Sequence, residues 1–180
     1  NYELKFNGET YSKLKAADVF DAIVEQAWKT GDPGLIFIDE VNKKHGISDV
    51  IESTNPCGEQ PLLPYESCVL GSINLSKFVH NKKIKWDRLK EVVRIGVHFL
   101  DNVIDANHYS CKEIEEITFA NRKIGLGIMG WADMLIMLGI KYDSDAALKL
   151  ADKIIEFIHK EARKKSYELG MERGNFLNFY

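Results

Sequence analysis

Three chemically different side chains recur at two-residue intervals in the stretch Thr54–Gln60: an amide at Asn55, a thiol at Cys57 and a carboxylate at Glu59. Alternate side chains of an extended segment point to the same side of the backbone. The spacing therefore predicts that the three groups face one small volume. A polar trio on a rigid loop is typical of a reactive centre, because loops held by a scaffold often carry binding and catalytic residues.

Proline and glycine determine the character of this stretch. Pro56, Pro61 and Pro64 each fix φ and remove a backbone donor, so the run favours a stiff loop over a strand inside a sheet. Gly58 has no Cβ, which lets the backbone bend or another group approach closely. A second cysteine, Cys68, follows shortly after the loop.

Length, composition and charge restrict the class of protein. The 180 residues fit one domain by size, and 45% hydrophobic with 28% charged residues is typical of a soluble globular protein. The formal charge of −3, without a basic run, argues against a nucleic-acid or membrane-surface partner. No apolar stretch reaches the roughly 18 residues of a membrane span. Three widely spaced cysteines favour the reducing cytoplasm over a secreted disulfide framework.

Both ends of the sequence indicate a piece of a longer protein. The chain starts at Asn1 without a methionine, and it ends on the aromatic run 176–180. An apolar terminus of this kind is typical of a segment that is cut before it has finished packing.

Hydrophobic periodicity predicts strands alternating with helices, which indicates an α/β architecture, either a barrel or a doubly wound sheet. Residues 1–15 are predicted to be irregular. The predicted helices are Ala16–Lys29, Trp86–Asn107, Lys112–Phe119, Trp131–Leu138 and a long one from Asp143 or Ser144 to Leu169, closed by Gly170; the predicted strands are Leu35–Ile38, Ser67–Leu75 (strand or loop) and Lys123–Gly130. Asp39 and Glu40 follow the first predicted strand. They could face a ligand, because ligands bind at the ends of parallel strands, or they could be solvated or cap a helix.

Two of the helices have clear apolar stripes. The stripe of Trp86–Asn107 consists of Leu89, Val93, Val97, Leu100 and Ile104, and that of the long helix consists of Ala147, Ala151, Ile154, Ile155, Ile158 and Ala162. His98 lies in the first of these helices and is predicted to be a core or boundary histidine. The five histidines share no spacing that would supply the three or four ligands of a zinc site, so no metal site is predicted.

A glycine pattern supports an alternative function, a dinucleotide-binding module. Gly125-x-Gly127-x-x-Gly130 matches the dinucleotide fingerprint, which requires a strand before the first glycine and a helix after the turn. Here the run Ile124–Met129 is itself the predicted strand. The glycines are therefore expected to mark close backbone approach inside a sheet.

A second alternative is a hydrolase or transferase that uses Cys57 as its nucleophile, with a distant histidine as base. That reading leaves Asn55, Glu59 and Cys68 without a role. A structural disulfide between Cys57 and Cys68 is disfavoured by the compartment. Cys111 follows the end of a predicted helix without a constellation of catalytic groups and is predicted to be structural.

Two linked motifs resemble the catalytic (large) chains of ribonucleotide reductases. They are Asn55-Pro56-Cys57-Gly58-Glu59-Gln60 and Glu66-Ser67-Cys68-Val69-Leu70-Gly71-Ser72-Ile73-Asn74-Leu75, and the runs Arg122–Trp131 and Leu100–Asp105 are also similar to that family. The resemblance covers nearly the whole chain. It implies a ten-stranded α/β barrel of which residues 1–180 form the central part, with the loop around Cys57 as an inward finger.

The resemblance also implies roles for the site residues. Cys57 would become a thiyl radical that abstracts the 3′-hydrogen of a ribonucleotide. Glu59 would be the general base for the 3′-hydroxyl group, and Asn55 would hold the ribose hydroxyl groups. Cys68 would be one of two reducing cysteines, with its partner on a strand before residue 1, so that this piece alone is expected to be inactive.

The resemblance is strongest to the adenosylcobalamin-dependent class, because Cys57 and Cys68 are only eleven residues apart and Cys57 lies in a Pro-Cys-Gly-Glu-Gln run. Adenosylcobalamin is therefore the expected cofactor, and a radical supplied by a separate metal-containing subunit is the alternative. The implied partners are a ribonucleoside diphosphate or triphosphate, a thioredoxin-like reductant and a second copy of the full-length chain. The implied location is the cytoplasm.

Overall fold

The computed structural model describes residues 2–47 and 49–179, which form a mixture of helices and strands. The strands are β1 (Tyr2–Phe6), β2 (Glu9–Leu14), β3 (Ser53–Thr54), β4 (Pro61–Leu62), β5 (Val69–Asn74), β6 (Val79–His80), β7 (Lys83–Ile84) and β8 (Ile124–Met129). The helices are α1 (Ala16–Thr30), α2 (Ile38–Lys44), α3 (Trp86–Ala106), α4 (Lys112–Asn121), α5 (Trp131–Leu138) and α6 (Asp145–Arg173), and a 3-10 helix covers Leu75–Phe78. Asn1, part of the region predicted to be irregular, and Tyr180, part of the aromatic run, lie outside the described residues.

The N-terminal region is a β-hairpin, so the prediction of irregular structure is wrong for residues 2–15. Strands β1 and β2 pair antiparallel, from Tyr2 opposite Leu14 to Phe6 opposite Glu9. The turn between them contains Asn7 and Gly8, both with positive φ. An Asn-Gly pair favours the two-residue turns whose twist matches that of paired strands, and this signal outweighs the weak alternation of the flanking residues.

The segment after α1 also differs from its prediction. Helix α1 ends at Gly31, which has a φ of +86°, but Leu35–Phe37 form no strand and α2 starts at Ile38. A short apolar run becomes a strand only where a partner strand is present, and the described residues offer none here. Asp39 and Glu40 lie in the first turn of α2, where a negative charge is favourable. Both side chains are exposed and no side chain of the described residues caps α2, so the solvated interpretation of these acids is confirmed.

A β–α–β unit forms the centre of the molecule. Strand β5 pairs parallel with β8, from Val69 opposite Ile124 to Asn74 opposite Met129, and parallel strands need a crossover connection, here containing α3. Glycines bring α3 close to this sheet, because a Cβ on Gly71 would lie 3.4 Å from Leu100 Cδ2 and one on Gly96 would lie 3.3 Å from Leu126 Cδ1.

Helices α3, α5 and α6 close the core over one face of this unit. The buried cluster consists of Ile73, Leu75, Phe78, Val79, Leu89, Val93, Met134, Ile154 and Ile158. All five residues of the predicted α3 stripe are buried, which confirms it. On α6, Ala147, Ile154 and Ile158 are buried, but Ile155 is 49% exposed. The helix also continues through Gly170 to Arg173, so its predicted end is wrong.

Arg122 joins the start of β8 to α3. Its φ of +45° directs the chain out of α4, and its guanidinium donates from Nε to Asp101 Oδ1 at 2.9 Å and from Nη1 to Asp105 Oδ1 at 2.7 Å. The Arg122 hydrogen bond lowers the pKa of the Asp105 carboxyl group. This fixed corner directly precedes Lys123, which contacts the candidate site.

The α/β class predicted from the sequence is confirmed, and the described strands form an open arrangement rather than a closed barrel. Among the residues that the structure describes, no helix is both long and apolar enough to cross a membrane.

Candidate active site

The stretch around Cys57 is the tip of a small hairpin. Strands β3 and β4 pair antiparallel, with Ser53 opposite Leu62 and Thr54 opposite Pro61. The finger loop, which we define as residues 55–60, is closed by a hydrogen bond from Asn55 N to Gln60 O at 3.2 Å. A second bond runs from Gly58 N to Asn55 O at 3.0 Å.

The loop is a tight turn, so the extended geometry predicted for it is wrong. Residues 56–59 are turn and bend, and Gly58 has a φ of +82°. A left-handed backbone at Gly58 is inexpensive because glycine has no Cβ. The closed turn therefore places the amide, the thiol and the carboxylate on one loop. The alternation of side chains along an extended strand does not explain their placement.

Asn55 has a double role in this loop. Its Oδ1 accepts a hydrogen bond from Gln60 N at 2.9 Å, which fixes the orientation of the side-chain amide. Among residues 2–47 and 49–179, only this oxygen of the side chain is engaged, and the Nδ2 group keeps its N–H bonds for a ligand. Asn55 can therefore act as an oriented donor to a hydroxyl or carbonyl oxygen.

Cys57 and Glu59 are both exposed at the tip of the loop. Cys57 is a free cysteine. An exposed carboxylate beside an exposed thiol can accept a proton from a ligand that the thiol also contacts.

Cys68 lies in a different environment, directly before β5. It is half-buried and free, and its Sγ lies 3.7 Å from Val69 O. Burial raises the pKa of the Cys68 thiol to about 11, while the charge of Lys123 opposes this rise and that of Glu66 adds to it. Near neutral pH this cysteine is therefore a protonated thiol, which has a hydrogen to give.

Sequence reasoning assigned no role to the buried charges that surround Cys68. The Glu66 side chain is fully buried; its Oε2 accepts from Leu63 N at 2.8 Å and from Lys123 Nζ at 2.7 Å. Its Oε1 accepts from Asn121 Nδ2 at 2.7 Å. Glu66 belongs to the motif that contains Cys68, but no local pattern pairs it with Lys123, 57 positions away.

The glycine pattern on β8 makes room for the finger loop. A Cβ on Gly125 would clash with Leu70 Cδ2 and would lie 2.9 Å from Gln60 Nε2. Gly125 and Gly127 lie inside β8 and only Gly130 precedes a helix, whereas the dinucleotide fingerprint places its first glycine after the strand. The prediction that these glycines mark close approach is confirmed.

Three further predictions concern the histidines and Cys111. Nε2 of His98 lies 2.8 Å from Nη2 of Arg173 at the edge of α3, which confirms a boundary histidine. Cys111 is free, half-buried and precedes α4. The described part of the chain contains no group of three or more His, Cys, Asp or Glu side chains that could hold a metal ion.

A pocket of about 640 Å³ borders the finger loop at Gly58 and Gln60. Its walls are largely apolar, including Leu35, Phe37 and Ile51, and Lys123 lies at its edge. The pocket gives a bulky apolar group a surface beside the loop that carries Cys57.

The chain is similar to one family along its entire length. The family model for the ribonucleotide reductase barrel domain matches residues 1–180. A vitamin B12-dependent ribonucleoside-diphosphate reductase of Thermoplasma acidophilum is 57% identical over 171 residues, covering 93% of this chain and 22% of the relative. A protein of the same name from Mycobacterium tuberculosis is 48% identical over 174 residues, covering 96% of this chain and 25% of the relative. The chain thus spans about a quarter of the length of these curated relatives.

A solved structure supports the fold. The class Id ribonucleotide reductase alpha subunit of Actinobacillus ureae superposes with a TM-score of 0.73 at 24% identity, covering 89% of this chain and 33% of that chain. At this identity the likeness concerns the fold alone, and it confirms a partial α/β barrel of this type.

Proposed function

This chain belongs to the ribonucleotide reductase barrel-domain family, and from that premise we propose that the complete protein reduces ribonucleotides to 2′-deoxyribonucleotides by a cysteine thiyl radical. The observation that carries the proposal is the closed finger loop, which holds an oriented amide, an exposed thiol and an exposed carboxylate within six residues. Cys68, a half-buried thiol directly before β5, supplies the second function that such a reduction needs.

The proposed reaction assigns one step to each group. The Cys57 thiyl radical takes the hydrogen atom from C3′, and Glu59 accepts the proton of the 3′-hydroxyl group. The 2′-hydroxyl group takes a proton from one of two reducing thiols, one of them Cys68, and leaves as water. The other thiol gives a hydrogen atom to C2′, the resulting sulfur pair passes one electron to the 3′-keto group and ends as a disulfide, and Glu59 returns its proton to the 3′-oxygen. The Cys57 thiol then returns its hydrogen atom to C3′, which regenerates the thiyl radical.

Asn55 would hold the ribose in this scheme. Its Oδ1 is already bonded to Gln60 N, so the free Nδ2 group is oriented before a substrate arrives. A preoriented donor lowers the entropy that must be lost on reaching the reactive geometry. The second reducing cysteine is proposed to lie outside residues 1–180.

The names of the relatives support two finer proposals. Two of them are called vitamin B12-dependent, so we propose adenosylcobalamin as the radical source, whose cobalt–carbon bond supplies a carbon radical on homolysis. The apolar pocket beside Gly58 fits one side of a large group approaching Cys57, but it does not enclose one. Both names also contain ribonucleoside-diphosphate reductase, which favours a diphosphate substrate. A dithiol reductant of the thioredoxin kind, a homodimer and a cytoplasmic location complete the proposal.

The test is substitution of Cys57 in the complete reductase. Cys57→Ala should lower deoxyribonucleotide formation by at least roughly a thousandfold, since losses of this size follow removal of a group that contacts the reacting atoms. Cys111→Ala is the matched control and should keep normal turnover. Activity that depends on added adenosylcobalamin would support the proposed radical source. Normal multiple turnover by Cys57→Ala would overturn the proposal.

A further inference from the structure

An ion pair with a fully buried carboxylate joins the two cysteine-bearing segments. The Glu66 side chain is 0% exposed and that of Lys123 is 20% exposed. Removing charges from water is costly, and an apolar pair would often stabilise a protein as well or better. Stability alone therefore does not explain the Glu66–Lys123 ion pair, which indicates a further role.

The contacts of Lys123 show what the pair connects. Its Nζ donates to Glu66 Oε2 at 2.7 Å and to Pro61 O at 3.1 Å. Pro61 is the first residue of β4, the strand that returns from the finger loop. Glu66 lies two positions before Cys68. One ammonium group therefore holds both the arm that leads back from Cys57 and the segment that leads to Cys68.

The strand register brings Lys123 beside Cys68 as well. Val69 is opposite Ile124 in the parallel pair, and Val69 N lies 3.5 Å from Lys123 O. Cys68 and Lys123 directly precede this first pair of the ladder, and the charge of Lys123 acts on the Cys68 thiol. On the other side, Ser67 Oγ lies 2.8 Å from Thr118 Oγ1 of α4, so both residues preceding Cys68 are anchored.

We propose that Lys123 and Glu66 are a positioning pair that holds Cys68 at a fixed place relative to the finger loop. This inference rests on the function proposed above, in which Cys57 and Cys68 act on the same nucleotide. The pair touches neither substrate nor reacting atoms, and it acts through Cys68 and through the backbone of β4.

The two charges act on Cys68 in opposite directions. Lys123 favours the thiolate and Glu66 opposes it, and burial, the largest cause, decides in favour of the thiol. Removal of one charge should leave the other unopposed. The two single variants should therefore change the alkylation rate of Cys68 in opposite directions. A general loosening of the structure would instead expose the sulfur and raise that rate in both variants.

The experiment measures alkylation of Cys68 by iodoacetamide in the complete reductase at pH 9, with peptide mapping by mass spectrometry. Glu66→Gln should raise the rate roughly tenfold and Lys123→Met should lower it roughly tenfold, because a nearby charge changes a pKa by about one unit or more. In both variants kcat with a dithiol reductant should fall at least about tenfold, as misplaced reacting groups lose rate, while KM for the nucleotide stays unchanged. Lys112→Met, which removes an exposed ion pair with Glu116, is the matched control and should change neither quantity.

Two more variants cover the case in which a single substitution does not fold. Glu66→Gln combined with Lys123→Gln removes both charges and should give an alkylation rate between those of the two single variants, because the two charges act in opposite directions. Lys123→Arg keeps the charge and should retain more of kcat than Lys123→Met. Faster alkylation in both single variants, or no change in either, would overturn the positioning pair. Opposite changes together with normal dithiol turnover by Cys68→Ala would instead overturn the function proposed for Cys68.

Discussion

The finger loop and the segment that carries Cys68 place a cysteine in opposite ways. The finger loop is closed by its own backbone and by one side-chain amide, and its cysteine is exposed. The Cys68 segment, which we define as residues 63–69, is held by a buried carboxylate, a lysine and a helix, and its cysteine is half-buried. A local turn presents one thiol, whereas distant parts of the chain hold the other.

This difference agrees with the roles proposed for the two cysteines. A thiol that must meet both a radical source and a sugar has to be reachable, and a loop tip provides access. A thiol that waits to donate a hydrogen is better kept protonated, and burial provides this by raising its pKa to about 11. The predictions below test whether the two environments really differ in this way.

The largest effect is expected for Cys68→Ala in the complete reductase. This variant should lose multiple turnover with a dithiol reductant, by at least roughly a thousandfold, because no reducing pair can form. It should nevertheless release tritium from a 3′-labelled nucleotide, since that step requires only the finger loop. Tritium release and product formation are measured on the same sample. Loss of both, with the fold intact, would mean that the two cysteines are not functionally separate.

A smaller but direct contrast is expected in alkylation of the unmodified protein. With a pKa of about 11, only about one Cys68 in a thousand is a thiolate at pH 8, and the thiolate is the reactive form. Iodoacetamide should therefore modify Cys68 roughly a hundredfold more slowly in the folded than in the urea-unfolded protein, and later than the exposed Cys57. The Cys68 rate should rise about tenfold per pH unit from pH 8 to pH 10, because the thiolate fraction grows in that window. Equal alkylation rates at Cys57 and Cys68 would show that the two cysteines do not lie in different environments.

The smallest effects are expected from two glycines of the Arg122–Trp131 run. Gly130 has a φ of +70°, and a Cβ there would clash with Asn74 Oδ1, which accepts from Ser76 N at 3.2 Å. Gly130→Ala should therefore lower the free energy of unfolding by about 2 kcal/mol, from left-handed strain and a lost cap. Thermal melting of the complete reductase gives the measurement.

Gly125→Ala is the matched variant at the finger loop. Its Cβ meets the ends of two flexible side chains, Leu70 and Gln60, which can move aside. We expect a loss of about 1 kcal/mol or less, with the main effect on kcat through the displaced Gln60. A larger loss of stability for Gly125→Ala than for Gly130→Ala would show that the loop, and not the end of β8, is the more constrained region.

Elements with a strong periodic pattern were predictable from the sequence. The α3 stripe, the β8 strand and the finger loop with its three candidate residues all follow from local spacing and from the linked motifs. The prediction of a strand over Leu35–Phe37 was wrong, because a short apolar run has the same composition whether or not another strand is available to pair with it. The predicted end of α6 was wrong, because packing overrides the low helix propensity of Gly170.

The sequence by itself identified the candidate site residues, because a thiol, a carboxylate and an amide within five positions need no partner to be recognised. Only the tertiary structure decided how they are held: the closed turn in place of an extended strand, the raised pKa of Cys68 and the link from Glu66 to Lys123. The closed turn depends on hydrogen bonds within residues 55–60. The raised pKa and the Glu66–Lys123 link depend on burial and on contacts between residues 57 positions apart, and free energies of that kind arise only when the chain has folded.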